Sequence, residues 1–597
     1  MRGRARLSLV IAFLGLLFWW SDMHDQPFPE RAGEVLRRIE DTTQLPVTEL
    51  VEALTGSPLP KPQQHADSGV AVQQIMREEL AQRQTTEEPL PDEKVLVSLK
   101  QITFKGANIL GDRELTEQVS KYLETPMSYE QMLEIGMTVE TYYRQNNYLA
   151  RVILPPQDLS EGVLQLEVIE SVISRIEVEQ QLENLPNTQA HIQALIASKM
   201  PQGEYLNTKS IERGLALANN VPGVSVQASL KEGAQAGDTE LLLKMYQSRT
   251  KDLDVTVDNA GSRSTGAYRM MASLNLFNAN DMQDLFNLVG VVTRGSEYIR
   301  TAFSLPVGLD GWRMGANLSF MKYEVVVGDV GMVGAIGNAI TRGLEWVYPL
   351  LRSDQASATV TVNADAKAFK NTSAQGLVMS DYEAKVLSTQ VAGYYRDVNP
   401  GGGSGTYLVQ YSQGRINLDG SLSQATDATG PRTEGSFGKI RTALTWQQPL
   451  TTQTSAFVSY TAQLANRNLD TSEKMQLGGI SGVRAYPTGE GSGSDAQLVQ
   501  LELRHALESG FTIAGLYDWG QVWQQHDPYY PGGPTNNHLT YKGYGASVSY
   551  TTTSGMTMKA IWARRQGDNP NPNPVNGRDQ DGTYDRNRFW LQLNVPF

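Results

Sequence analysis

The stretch Gln497-Leu498-Val499-Gln500-Leu501-Glu502-Leu503-Arg504 decides the fold class. In a strand, successive side chains point to opposite faces. Val499, Leu501 and Leu503 therefore share one side, and Gln500, Glu502 and Arg504 the other. An oily face backed by a charged one is the pattern of a membrane barrel, with lipid outside and water inside. Upstream lies a glycine-rich loop, Gly478 to Gly493, whose one arginine stands in Val483-Arg484-Ala485-Tyr486-Pro487. Downstream, the next apolar run ends in Leu516-Tyr517-Asp518-Trp519-Gly520. Asp518 keeps the phase of Thr512, Ala514 and Leu516, which sets it on the lumen side.

The same alternation spreads over the last three-fifths of the chain. Met270, Ala272, Leu274 and Leu276 share a face. Trp312, Met314, Ala316, Leu318 and Phe320 oppose Arg313, Gly315, Asn317 and Ser319. The chain closes with Phe589, Leu591, Leu593, Val595 and Phe597 on one face. Helical patterns vanish from Leu253 onward. Residues 250–597 hold about 17 units of roughly 20 residues, counting one spanning strand and its connection as a unit. Closure of a bacterial barrel prefers an even number, so about 16 antiparallel strands are expected.

Ahead of the barrel, two β-α-α-β-β units follow one another, giving an α+β portion before the all-β one. In the first, Leu99–Lys105 is a strand, and Asp112–Leu123 and Tyr129–Gln145 are helices. Met132, Ile135, Val139 and Tyr142 form the apolar stripe of the second helix. Strands Ala150–Leu154 and Val163–Ile169 complete the unit. The second unit runs through a strand at Ser174–Glu179, helices at Ala190–Ser198 and Thr208–Asn219, and strands at Val224–Lys231 and Glu240–Tyr246. Further upstream, residues 43–94 are rich in Pro, Gln and Glu and read as a linker. Residues 26–42 contain a helical stretch, Arg31–Glu40, with Val35, Leu36 and Ile39 at helix spacing. At the start, Arg2, Arg4 and Arg6 precede an apolar run, Leu7–Trp20. That run is shorter than the roughly 20 residues of a membrane span, so residues 1–25 read as an export signal with its cleavage position open.

Composition sets limits on function. A chain of 597 residues exceeds a single ordinary core. The net charge of −13 argues against nucleic acid, which needs clustered Lys and Arg. With no cysteine, disulfide frameworks and thiolate metal sites are excluded. A mean hydropathy of −0.35 is foreign to a helical membrane protein but suits a barrel, where only alternate residues meet lipid. Gly489-Glu490-Gly491-Ser492-Gly493 lacks the Gly-Lys-Ser/Thr ending of a phosphate cradle. Asp579-Gln580-Asp581-Gly582 with Asp585 lacks EF-hand spacing and reads as a polar outer loop. The six histidines show no zinc-type pairing, and no Gly-x-Ser-x-Gly elbow is present. No enzyme, metal or cofactor is expected.

Val483-Arg484-Ala485-Tyr486 and Tyr517-Asp518-Trp519-Gly520 together resemble the signature of the two-partner secretion transporters. These are the TpsB family of haemolysin activator and filamentous haemagglutinin transporter type, within the POTRA-barrel superfamily. Alanine stands at 485 where the family more often has glycine. Ile153-Leu154-Pro155-Pro156-Gln157-Asp158-Leu159 is similar to a stretch of the family's first POTRA module. The resemblance runs from about Ala32 to Phe597. It implies POTRA domains at 95–172 and 173–249, a transmembrane barrel of 16 strands at 250–597, and a helix within 26–42 that plugs the resting pore. It further implies a gating loop (Val483, Arg484, Ala485 and Tyr486) whose arginine meets Asp518, near Gly520, in the lumen. The partners implied are a cognate, secreted, β-helical TpsA-like exoprotein bound within 95–249, outer-membrane lipid, and the barrel assembly machinery reading the strand that ends at Phe597. The expected location is the Gram-negative outer membrane, with the POTRA domains in the periplasm. An assembly factor that inserts other barrels is the alternative, although two modules are few for one. A passive porin would have no use for them.

Overall fold

The computed structural model describes residues 96–328, 332–353 and 355–597. The expected export signal, the 31–40 helix and the linker lie outside the described residues.

Two three-stranded sheets and one two-stranded pairing, Val97–Ser98 with Pro126–Met127, precede the barrel. The first unit has strands β1 (Gln101–Lys105), β2 (Ala150–Ile153) and β3 (Val163–Glu170), with helices α1 (Asp112–Val119) and α2 (Tyr129–Gln145). Its sheet order is β1-β3-β2, parallel between β1 and β3 and antiparallel between β3 and β2. α2 begins where the sequence allows: Ser128 and Gln131 form a reciprocal capping box. Met132, Ile135 and Val139 are buried as read and Tyr142 packs half-buried against the same core, but the fully buried aromatic of the stripe is Tyr143. The i+4 step from Val139 is what the helix period favours, and Tyr143 also finds a polar partner inside. Its hydroxyl donates to Glu170 at 2.8 Å. The second unit repeats the order with β4 (Val172–Gln180), α3 (Pro186–Lys199), α4 (Thr208–Ala218), β5 (Val224–Glu232) and β6 (Asp238–Gln247), arranged β4-β6-β5.

Sixteen further strands close into a barrel. They begin with β7 (Lys251–Asp258), β8 (Arg269–Phe277), β9 (Leu285–Thr293), β10 (Ser296–Val307) and β11 (Trp312–Glu324). The longer strands follow: β12 (Ile336–Arg352), β13 (Ala356–Thr372), β14 (Val378–Arg396), β15 (Ser404–Asn417) and β16 (Gly435–Pro449). The ring ends with β17 (Thr454–Ala465), β18 (Asp495–Ala506), β19 (Phe511–Trp523), β20 (His538–Thr551), β21 (Thr557–Arg565) and β22 (Asn587–Pro596). Each strand pairs antiparallel with its neighbour, and β22 closes on β7 through five residue pairs, Gln592↔Asp258 to Pro596↔Asp254. Leu501, Leu503, Phe589 and Leu591 face outward and are exposed, as their alternation requires. Helix does not vanish entirely beyond Leu253. A six-residue helix, α5 (Gln424–Thr429), sits in the connection from β15 to β16, and a 3-10 turn spans Thr471–Glu473. Asp427 holds the chain after α5 by accepting from the Thr433 and Glu434 N–H groups, a local contact that strand periodicity does not encode.

One buried carboxylate ties the loop before α1 and helix α2 to the sheet of the first unit. Glu170 Oε1 accepts from the Asn108 and Ile109 N–H groups at 2.8 and 2.7 Å and from the Tyr143 hydroxyl. Glu170→Ala leaves those donors without partners, which should cost the unit about 2–4 kcal/mol. Earlier protease cleavage within 96–170 on heating, with the barrel unaffected, is the expected readout.

Candidate functional site: a buried arginine inside the barrel

The connection between β17 and β18, residues 466–494, turns back into the lumen. It is held first to itself. The Gly478 N–H donates to Glu490 O at 2.9 Å, the Val483 N–H to Leu477 O at 2.6 Å, and the Gly479 N–H to Tyr486 O at 3.1 Å. This folded tip carries Arg484 to the middle of the wall made by β18 and β19.

Arg484 is 2% exposed and Asp518 is fully buried. The Arg484 backbone N–H and its Nε both donate to Asp518 Oδ2 at 2.9 Å, and Nη2 donates to Oδ1 at 2.6 Å. Nη1 donates to Glu502 Oε1. Glu502 in turn accepts from Arg504 Nε at 2.7 Å, and the Arg504 guanidinium lies over the Phe457 ring at 4.0 Å. Two cations and two anions thus alternate, Asp518, Arg484, Glu502, Arg504. The planar guanidinium fork matches the carboxylate in two parallel bonds, a geometry that lysine cannot reproduce. Backbone contacts fix the loop on either side of the arginine. Trp590 Nε1 donates to Arg484 O at 2.8 Å, and Gln500 Nε2 to Gly482 O at 2.9 Å.

Beside the ions lies an apolar cluster. Val483, Ala485 and Tyr486 pack with Leu498, Val522, Leu539, Tyr541 and Ala563 in one buried cluster. Tyr486 meets Tyr541 edge to face, with centroids 4.9 Å apart. Two glycines make the fit possible. A Cβ on Gly543 would lie 2.5 Å from Ala485 Cβ, and one on Gly520 would crowd Leu477 and Val483 at 3.1 and 3.2 Å.

All six residues singled out in the sequence therefore meet at one place. Three others in the same assembly were not singled out as partners. Glu502 and Trp590 have the inward phase, so their side was legible though not their height in the barrel. Glu490 had no signal at all. It is fully buried and accepts from Asn569 Nδ2 at 3.1 Å and the Gln580 N–H at 2.9 Å, both in the connection between β21 and β22. That connection is knit by Asp579 to Arg565 at 2.6 Å, Asp579 to Arg588 at 3.0 Å and Asp581 to Arg588 at 3.0 Å. The acidic run read as a polar loop is thus occupied by arginines. Among the described residues no group of three or more His, Asp or Glu is arranged to hold a metal ion.

Burial, assisted by the charges of Asp579 and Asp581, raises the Glu490 carboxyl to about 7. A carboxyl raised in the folded state costs nothing below its ordinary range, where it is protonated folded or free. The cost grows as pH climbs through that range toward 7 and is complete above it. The contact between the two loops should therefore weaken from about pH 5 to about pH 8. Protease cleavage within 566–586, measured across that range, should increase with pH, and Glu490→Gln should flatten the dependence.

Comparison with known proteins agrees with this architecture. Residues 237–547 match the family described as haemolysin secretion/activation protein ShlB/FhaC/HecB, and residues 97–171 match the ShlB-type POTRA domain. The heme/hemopexin transporter protein HuxB of Haemophilus influenzae is 23% identical over 84% of this chain and 87% of its own length. The outer membrane transporter CdiB of Dickeya dadantii is 27% identical over 65% of this chain and 69% of its own. Among solved structures, CdiB from Escherichia coli has the same fold, with a TM-score of 0.64 at 20% identity, covering 89% of this chain and 98% of that one. The family match decides against the assembly-factor reading. The chain belongs to the ShlB/FhaC/HecB family, the two-partner secretion transporters of the outer membrane.

Proposed function

We propose that the Arg484 loop is the movable gate of this exporter, with Asp518 and Glu502 as its closed-state latch. The protein is an outer-membrane pore that carries an exoprotein from periplasm to cell surface, its POTRA region on the periplasmic side. The observation that carries the gate is the pairing of Arg484 with both carboxylates inside the lumen. A loop held there by buried charge blocks the path of a threading chain, and its release opens that path. In this reading residues 1–25 are the export signal, 26–42 a helix that occupies the resting pore, 43–94 a linker, 95–172 and 173–249 the two POTRA domains, and 250–597 the barrel. The outward faces of the barrel strands meet lipid, and the strand ending at Phe597 is the segment read by the assembly machinery. No reaction step belongs to the proposal, and no nucleotide: folding of the cargo outside supplies direction.

The first POTRA domain offers the cargo a surface. On α2, Tyr129, Leu133 and Met137 lie at i, i+4 and i+8 and are 47%, 40% and 56% exposed. An apolar stripe left open on a polar module fits an interaction surface. The sheet order also leaves β1 and β2 as edges, where an extended cargo segment can add backbone hydrogen bonds.

Removing one member of a buried ion pair costs about 3–5 kcal/mol, because the partner stays desolvated. Arg484→Ala should thus leave the loop without a fixed place in the lumen, where it obstructs a threading chain instead of withdrawing as one unit, and abolish export while the barrel still shows heat-modifiable migration on gels. Asp518→Asn, which keeps one acceptor, should impair export less. Wild-type export by Arg484→Ala would remove the arginine from the mechanism. Deletion of 95–172 should end cargo binding while the pore still conducts in planar bilayers, and Leu133→Asp with Met137→Asp should weaken that binding. Cargo capture by the deleted form would contradict the docking role.

A further inference from the structure

We propose that the turn between β8 and β9, residues 278–284, is a socket that fixes the second POTRA domain beneath the barrel. Asp281 is its positioning residue for export. The argument begins with α3, a helix whose start carries no cap of its own. Leu185 stands at the N-cap position and makes no side-chain hydrogen bond there, and Pro186 follows. The first N–H groups of a helix lack internal partners and attract negative charge. Here the charge comes from the barrel. Asp281 Oδ2 accepts from the Asn187 N–H and Oδ1 from the Thr188 N–H, both at 2.9 Å and more than 90 residues distant in sequence.

The turn is shaped for this contact at a cost. Asn278, Asp281 and Gln283 adopt φ of 52°, 56° and 54°, a left-handed region that Asn and Asp enter more readily than other non-glycine residues and Gln only rarely. Three such residues among seven mean that surrounding contacts hold the turn in place. The Asn278 N–H donates to Asp284 O at 2.7 Å, the Asn280 N–H to Asp284 Oδ1 at 3.0 Å, and Arg313 Nη1 to Gln283 O at 3.0 Å. So held, Asn278 Nδ2 and Gln283 Nε2 reach the fully buried Thr188 hydroxyl at 2.9 and 3.0 Å. Thr188, Asn278 and Gln283 thus share a network buried from water, with Asp281 at its edge.

Other contacts place the same domain in the same way. At the next turn Lys199, at the end of α3, pairs with Asp310, and Gly311 at φ 87° leaves room for Leu217 of α4, which a Cβ would meet at 2.5 Å. Near the end of β12, Pro349 O accepts from Arg213 Nη2 at 2.8 Å. Both helices of the second domain therefore rest on the periplasmic rim. Cargo held by the POTRA domains is then presented to the pore from one fixed direction, and loss of the socket scatters that direction without closing the pore.

The chain has no cysteine, so one engineered pair tests the idea cleanly. In Asn187→Cys with Asp281→Cys, full-length protein in intact cells, the acceptor is lost but a disulfide can replace it. With reductant present, export of the co-expressed partner exoprotein should fall, by about fivefold if the loss resembles that of an ordinary helix cap. Oxidation should form the cross-link and restore export, while heat-modifiability and bilayer conductance match wild type in both states. A folding defect would not be rescued by oxidising protein already in the membrane. Three results would each overturn the proposal: no disulfide between the two positions, wild-type export by the reduced pair, or failure of export in the cross-linked form. Arg484→Ala in the cross-linked background separates this claim from the gate, since it should abolish export with the socket intact.

Discussion

A guanidinium that is 2% exposed inside a barrel cannot rely on water, so everything near Arg484 has to supply what water would. That requirement reaches into the wall itself. Glu502 lies on β18 and Asp518 on β19, and the register sets Gln500 opposite Asp518 and Glu502 opposite Leu516. Both carboxylates then face inward, two residue pairs apart along the ladder. A slip of one residue on β19 would turn Asp518 toward lipid and leave Arg484 with half its partners. The ion assembly and the strand register therefore support each other: the pleat presents the carboxylates, and their buried partner penalises any other pleat.

Most of the barrel was legible because its information is repeated every second residue. Leu501 and Leu503, or Phe589 and Leu591, each announce their side without reference to anything distant. The ends of elements depend on local caps, which is why α2 runs over Tyr129–Gln145 as read, with Ser128 and Gln131 marking its start. The failures are equally local in cause. Tyr142 and Tyr143 are adjacent aromatics, and only the position of Glu170 across the domain decides which goes inside. Contacts between outer loops were illegible altogether. Glu490 finds Gln580 across 90 residues, and no periodicity relates two irregular segments. The pairing of Arg484 with Asp518 came from family resemblance, whereas Glu502 needed the height of each residue along the barrel, which alternation leaves undefined.

The lumen is also less wet than a simple inside-outside rule would have it. Leu498, Val522, Leu539, Tyr541 and Ala563 point inward and are apolar. They are found where Val483, Ala485 and Tyr486 of the folded loop cover them. Burial of such surface stabilises the closed loop by roughly 25 cal/mol for each square ångström removed from water. A loop leaving this wall exposes grease as well as two carboxylates. A passing chain that presents apolar and basic side chains in turn can offset both, whereas water and small ions offset only the charges. The closed state is in this sense selective about what can replace it.

The two anchorages fall on different arcs of the ring. The second α+β unit rests on the turn from β8 to β9, the turn from β10 to β11, and the end of β12. The Arg484 loop rests on β18 and β19, with Trp590 of β22 and the connection ahead of it. They come closest at the connection into β8, where Ala260 O accepts from Thr488 Oγ1 at 2.9 Å, and at β13, beside β12, whose Lys367 pairs with Glu473 at 2.7 Å. In the proposed gating, the loop can then leave its wall while most contacts of the second α+β unit persist, and an exporter that grips an unfolded chain while clearing its own path gains from that separation.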